Sequence, residues 1–218
     1  MAHRAGSRER PNSREAVERV LKLKPNIIEL DVRLSKDKEL VCYHGNILEN
    51  FGLYSSTNFK TAAQLQVMGI EALPELLRII NGTCNVFLDI KDYRVKPRQI
   101  FSAFDNREPE TIYIGARKIG YFSNFGYKPS NVQFCNIYSS GLGHILQKLR
   151  RERVDVVDLL PWMVSRKRVD RIHDMGMKFS LSAFFEPARY LDQAVKLGTN
   201  WISVYDILRY RTLLAAII

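Results

Sequence analysis

Glu29-Leu30-Asp31 and Asp89-Ile90-Lys91 each place two ionisable side chains two residues apart within runs that read as β-strands. Side chains alternate faces along a strand, so Glu29 and Asp31 point the same way, as do Asp89 and Lys91. Three carboxylates converging on one side of a sheet repel one another unless a cation sits between them. A hard divalent ion such as Mg2+ or Ca2+ prefers oxygen ligands and would fill that role. Lys91 and Arg4 add fixed positive charge that suits a phosphate. His3 and His44 could then exchange protons with the attacking and leaving oxygens. A plainer reading stands beside this one: Glu-x-Asp at a strand end is often an ordinary charged pair, and Asp89 and Lys91 could neutralise each other as a structural ion pair.

These residues share one end of the strands that carry them. Strand-like runs at Met1–Arg4, Ile27–Val32, Val86–Ile90, Thr111–Ile114, Val132–Asn136, Val154–Leu160, Phe179–Ala183 and Trp201–Val204 alternate with helical patterns. The helical patterns cover Ser13–Leu23, Leu73–Ile80, Pro97–Asp105, Arg117–Phe125, Gly141–Arg150, Ser165–Met175 and Pro187–Leu197. Pro74, Pro97 and Pro187 suit early helical positions, and Gly176 and Gly198 suit helix ends. Strand and helix repeated in this way predict an α/β fold with a parallel sheet, a (β/α)8 barrel in a single domain over residues 1–218. An open, doubly wound sheet has the same periodicity. Leu40–His44 reads as an extra strand, separated from Val32 by too few residues for a crossover helix. It predicts a hairpin-like excursion that brings His44 over the same barrel end. Asn136, Trp162, Ser182 and Tyr205, near predicted strand ends, read as core or rim packing, and His144 and His173 as surface residues.

Taken in order, the motifs resemble the glycerophosphodiester phosphodiesterase family. That family has His-Arg-Gly, Pro-Glu-Asn-Thr, Glu-Leu-Asp-Val, a Thr-Lys-Asp-Gly turn, a strand ending in His-Asp, and Glu-x-Lys. This sequence has His3-Arg4-Ala5, Pro11-Asn12-Ser13, Glu29-Leu30-Asp31-Val32, Ser35-Lys36-Asp37-Lys38, Val41-Cys42-Tyr43-His44-Gly45 and Asp89-Ile90-Lys91. The resemblance implies that Glu29, Asp31 and Asp89 hold one divalent cation, Mg2+ or Ca2+. It implies that His3 and His44 are the acid–base pair and that Arg4 and Lys91 contact the phosphate. It further implies hydrolysis of a glycerophosphodiester to glycerol phosphate and an alcohol. Four positions depart from the family pattern: Ala5 replaces a glycine, the glutamate before Asn12 is absent, Gly45 replaces an aspartate, and Asp89 is a methylene shorter than glutamate. The related sphingomyelinase D lipases share His-Gly and Asp-x-Lys, but their cysteine-bearing loop has no counterpart in residues 46–50. A lyase that stops at a cyclic phosphate, and an inactive barrel that binds phosphorylated ligands, are the alternatives.

The bulk numbers fit. The 218 residues are 46% hydrophobic and 26% charged, and a (β/α)8 barrel needs about 200–250 residues. A net charge of +10 favours anionic partners, from a small phosphodiester or lysophospholipid to peripheral contact with an acidic membrane. No zinc-finger spacing or aromatic RNA-binding signature points to nucleic acid. No apolar window approaches the roughly 18 residues of a membrane span, and no signal peptide opens the sequence, so a cytoplasmic protein is expected. Cys42, Cys84 and Cys135 suggest neither a disulfide framework nor a zinc site.

Overall fold

The computed structural model describes residues 1–45, 56–137, 142–183 and 187–215. Strands and helices alternate as α1 (Arg14–Leu21), β1 (Ile27–Leu34), β2 (Leu40–Cys42), α2 (Ala62–Val67), α3 (Leu73–Ile80) and β3 (Asn85–Ile90). They continue as α4 (Pro97–Ser102), β4 (Ile112–Ala116), β5 (Val132–Ile137), α5 (Leu142–Arg151), β6 (Val156–Leu159) and α6 (Arg166–Asp174). Last come β7 (Lys178–Ser182), α7 (Pro187–Lys196), β8 (Ile202–Ser203) and α8 (Ile207–Ala215). The eight strands form one curled sheet in the order β2-β1-β3-β4-β5-β6-β7-β8. Every neighbouring pair from β1 to β8 is parallel, whereas β2 lies antiparallel on β1 with Val32 opposite Cys42.

Both faces of the strands are covered, which explains their apolar runs. All eight residues of β1 are buried. Ile28, Leu30 and Val32 belong to the large core shared with the helices. Ile27 on the opposite face joins Phe87, Tyr113, Cys135, Val156 and Trp201 in a separate inner cluster. The polar residues two and four positions further along β1 therefore stand on the inner face.

The predicted strand over Met1–Arg4 reduces to a bridge at Ala2. Ala2 is flanked by Ile28 on one side and Val204 on the other, both parallel. Its amide donates to the Ile27 carbonyl at 2.8 Å and its carbonyl accepts from Glu29 at 3.0 Å. Beyond it, the His3 amide donates to the Val204 carbonyl at 2.9 Å. Extension ends there because Arg4, Ala5 and Gly6 all take left-handed angles, with φ of 50°, 55° and 68°. Only at Gly6 is this conformation free of a Cβ penalty. A Cβ on Gly6 would also stand 3.2 Å from Val20 Cγ2 and 3.3 Å from the Tyr205 carbonyl oxygen. Gly6→Ala is therefore expected to cost about 1–2 kcal/mol and to lower Tm by roughly 2–8 °C. An unchanged Tm by calorimetry would mean that the turn adopts another conformation at no cost.

Two helices differ from expectation. The pattern over Arg117–Phe125 yields only a short 3-10 turn at Phe122–Asn124. Gly120 at φ 101° breaks the segment, and Tyr121, Phe122 and Phe125 all turn inward around Phe134. Helix α4 stops at Ser102 because Asp105 and Asn106 turn left-handed a few residues on. Helix α2, opened by a Thr61–Gln64 capping box, is only six residues long and buries Leu65 alone, too short a run to announce itself. Among the described residues, no helix is long and apolar enough to cross a membrane.

Candidate active site

The structure brings the predicted ionic residues together at the C-terminal end of β1 and β3. Parallel pairing puts Asp31 directly opposite Asp89. Glu29 and Asp31 project inward from the same strand, and one carboxylate oxygen from each of Glu29, Asp31 and Asp89 lies within 4.8 Å of the others. All three are buried. Lys91, just past β3, sets its ammonium 3.1 Å from Asp31 Oδ1 and pairs also with Asp89 Oδ2. Arg4 approaches from the left-handed turn, with Nε 3.6 Å from Asp31 Oδ2 and its amide donating to Glu29 Oε2 at 2.5 Å.

The histidines stand at the edge of this cluster. His3 Nε2 is 3.8 Å from Glu29 Oε2, and the ring packs edge-on against Tyr205 with centroids 4.6 Å apart. His44 follows β2. The Tyr43 amide donates to the Asp31 carbonyl at 3.1 Å, and Arg33 Nη2 donates to the His44 carbonyl at 3.1 Å. The short excursion is thereby pinned to β1, with His44 half-buried above it.

Burial divides the protonation states. Glu29 is raised well above the usual carboxylate range by burial and by the charges of Asp31 and Asp89. Asp89 is raised as well, chiefly by burial, against the pull of Lys91. Burial would raise Asp31 too, but Lys91, His44 and Arg4 outweigh it and hold this carboxyl low. Burial pushes His3 down to about 3 and His44 down to about 4, with Arg4 and Lys91 adding to the effect. Both imidazoles are neutral at pH 7.

These donors fit a divalent cation. Asp89 Oδ1 is buried without a hydrogen-bond partner, and Asp31 Oδ1, which makes no hydrogen bond, faces the Lys91 ammonium. A three-oxygen donor set in which Asp89 Oδ1 is buried and unpaired matches a hard cation.

Sequence reasoning gave Asn12 and Asp158 no role and weighed Tyr205 as pocket lining or packing. Asn12 clamps Asp31 from both ends: its Nδ2 donates to Oδ2 at 2.8 Å, and its Oδ1 accepts from the Asp31 amide at 3.1 Å. Tyr205 supports His3. Asp158 lies in an apolar run, although it sits two residues beyond the inward Val156 and so stands on the inner face of the sheet. It accepts hydrogen bonds from Ser180 Oγ at 2.7 Å and Ser182 Oγ at 2.6 Å, yet burial still pushes its carboxyl up to about 6. Below about pH 3 the carboxyl is neutral in both folded and unfolded chains. Above pH 6 the folded chain bears an ionisation cost that the unfolded chain does not. Asp158→Asn, whose amide can donate to the reoriented serine hydroxyls, is thus expected to gain on the order of 2 kcal/mol more at pH 8 than at pH 4. Thermal unfolding at the two pH values checks this, and equal gains at both would exclude the ionisation cost as the cause.

The family model of the glycerophosphoryl diester phosphodiesterase family matches residues 3–112, the span that carries every residue of the ionic cluster. No curated protein sequence matches the chain. Among solved structures, an Oleispira antarctica phosphodiesterase in complex with the product sn-glycerol-3-phosphate superposes with a TM-score of 0.86 at 13% identity, over 98% of this chain and 95% of that one. A glycerophosphodiester phosphodiesterase from Thermotoga maritima gives 0.77 at 16% identity, over 100% and 97%. A glycerophosphoryl diester phosphodiesterase from Parabacteroides distasonis gives 0.75 at 20% identity, over 100% and 86%. At these identities the structures speak for the fold.

Proposed function

The chain belongs to the glycerophosphoryl diester phosphodiesterase family, and we propose that it hydrolyses a small glycerophosphodiester or lysophospholipid to glycerol phosphate and an alcohol. The observation that carries this reading is the meeting of Glu29, Asp31 and Asp89 with Lys91 and Arg4 at one strand end. The supporting scaffold is read as a one-domain (β/α)8 barrel, whose ring the Ala2 segment completes between β1 and β8.

Glu29, Asp31 and Asp89 would hold one Mg2+ or Ca2+, since their donors are oxygen alone. When bound, such an ion supplies Lewis-acid neutralisation of the charge that develops on the phosphoryl oxygens. Arg4 and Lys91 orient the phosphate. Of His3 and His44, the neutral one accepts the proton of the substrate hydroxyl that attacks phosphorus while the other, protonated, gives its proton to the leaving alcohol; water, with the two roles exchanged, then opens the cyclic phosphate to glycerol phosphate. The negative charge of a bound phosphodiester raises both imidazoles, which makes the donating form accessible near neutral pH. Asn12 keeps Asp31 in place, and Tyr205 keeps His3 from turning away.

The test is cleavage of glycerophosphocholine, glycerophosphoethanolamine and lysophospholipids by purified protein, with Mg2+, Ca2+ or excess chelator. Turnover restored by one of the ions and abolished by chelator is expected. Phosphorus NMR separates glycerol phosphate from a cyclic phosphate end product, which would instead indicate the lyase. Folded protein that cleaves nothing under any of these conditions would overturn the enzymatic reading.

A further inference from the structure

The turn that follows β6 is built against local preference. Because β5, β6 and β7 run parallel, this turn lies on the same end of the sheet as Asp31 and Lys91. Trp162 stands 71% exposed in the 3-10 turn Pro161–Met163, above a buried Pro161. The turn is fixed in place: Arg168 Nη1 donates to the Met163 carbonyl, and Ser165 Oγ caps α6 by accepting from the Arg168 amide at 3.3 Å. Trp162 is thus held out by ordered structure.

Helix α6 then begins Arg166-Lys167-Arg168, with no acidic residue in its first turn. The positive end of a helix dipole favours acids there and disfavours cations. Three cations at that position, beside an exposed tryptophan, oppose both local electrostatics and apolar burial. Sequences break such local rules chiefly where an external partner compensates. Leu208, 57% exposed, stands beside Arg209 at the start of α8 and repeats the apolar–basic pairing at the same end of the sheet.

We propose that this rim docks the protein on an anionic lipid bilayer, with Trp162 seated at the headgroup level and Arg166 and Lys167 against acidic lipid. Tryptophan has an apolar body with one polar N–H, which suits the bilayer interface. Each surface cation near acidic lipid strengthens binding by on the order of fivefold. Docking in this pose turns the mouth of the candidate site toward the lipid. The inference does not depend on the phosphodiesterase chemistry, and its readout is binding.

The full chain should sediment with phosphatidylcholine vesicles containing phosphatidylserine and not with phosphatidylcholine alone, and binding should weaken with salt. Trp162 is one of two tryptophans, and the other, Trp201, is buried. A blue shift of emission on vesicle binding should therefore vanish in Trp162→Ala. Arg166→Glu with Lys167→Glu should bind at least about 25-fold more weakly. That pair also places acids at the helix N-terminus, so the variant should fold at least as stably as the parent, and lost binding cannot be attributed to unfolding. Unchanged turnover of soluble glycerophosphocholine by both variants would set docking apart from catalysis. Three results overturn the proposal: folded parent that ignores acidic vesicles, variants that bind them as tightly as the parent, or heparin producing the same Trp162 shift, which would mark a general polyanion surface.

Discussion

Asp31→Asn is expected to lower kcat/KM by about 10³-fold or more while leaving the fold in place. Lys91, Arg4 and Asn12 Nδ2 all converge on its carboxylate, and Asn12 Oδ1 accepts from its main-chain amide. It is also the carboxyl that its neighbours hold low, whereas Glu29 and Asp89 are raised. Asparagine keeps the size and can still accept from Asn12 through its oxygen, so packing survives. The charge does not. Losing several kcal/mol of charge stabilisation at the phosphoryl group corresponds to this fall, at about 1.4 kcal/mol per tenfold. Steady-state kinetics check the prediction, and a second readout is the rise in Tm on adding Mg2+ or Ca2+, which the variant should lose. A variant that retains both would remove Asp31 from the site.

His44→Ala should lower kcat by roughly 10²–10⁴-fold with KM within a few-fold of the parent. His44 is the better of the two histidines to test. His3 is buried against Tyr205, so its removal would also open a cavity, whereas His44 is half-buried and its segment is pinned through the Tyr43 amide and its own carbonyl. Alanine leaves both of those main-chain bonds intact. Added imidazole should recover part of the lost turnover. A variant impaired only in KM would show that His44 binds substrate and moves no proton.

The parts of the site that depend on strand alternation were legible in the sequence, because period two fixes relative direction without any tertiary knowledge. Glu29 and Asp31 share a face for that reason, and Asp89 comes opposite Asp31 once β1 and β3 pair. Helix α3 was equally plain, since Pro74 opens it and an amphipathic pattern runs to Ile80. What could not be read depends on backbone angles or on distant partners. Arg4 and Ala5 are ordinary residues forced into left-handed angles by what surrounds them, so the turn that delivers the Arg4 amide to Glu29 leaves no compositional trace. Asn12 sits in a recognisable motif, but its two hydrogen bonds to Asp31 span 19 residues of sequence. The segment around Phe122 has helical spacing, and it is Phe134, on the next strand, that draws its rings inward.

The bridge at Ala2 also sets an order of events. The Met1 amine donates to the Ile202 carbonyl across a separation of 201 residues, and Ala2 rests between Ile28 and Val204. Such a contact must await the emergence of β8 during synthesis, and closing so long a loop is repaid only once the intervening strands already stand side by side. The carboxylates of β1 and β3 need no such wait, since Asp31 and Asp89 pair across a far shorter stretch of chain. Glu29, Asp31 and Asp89 can therefore gather before β8 is in place, while His3 and Arg4 reach their stations only after it. A chain without β8 would thus keep the three carboxylates together yet leave His3 and Arg4 unplaced.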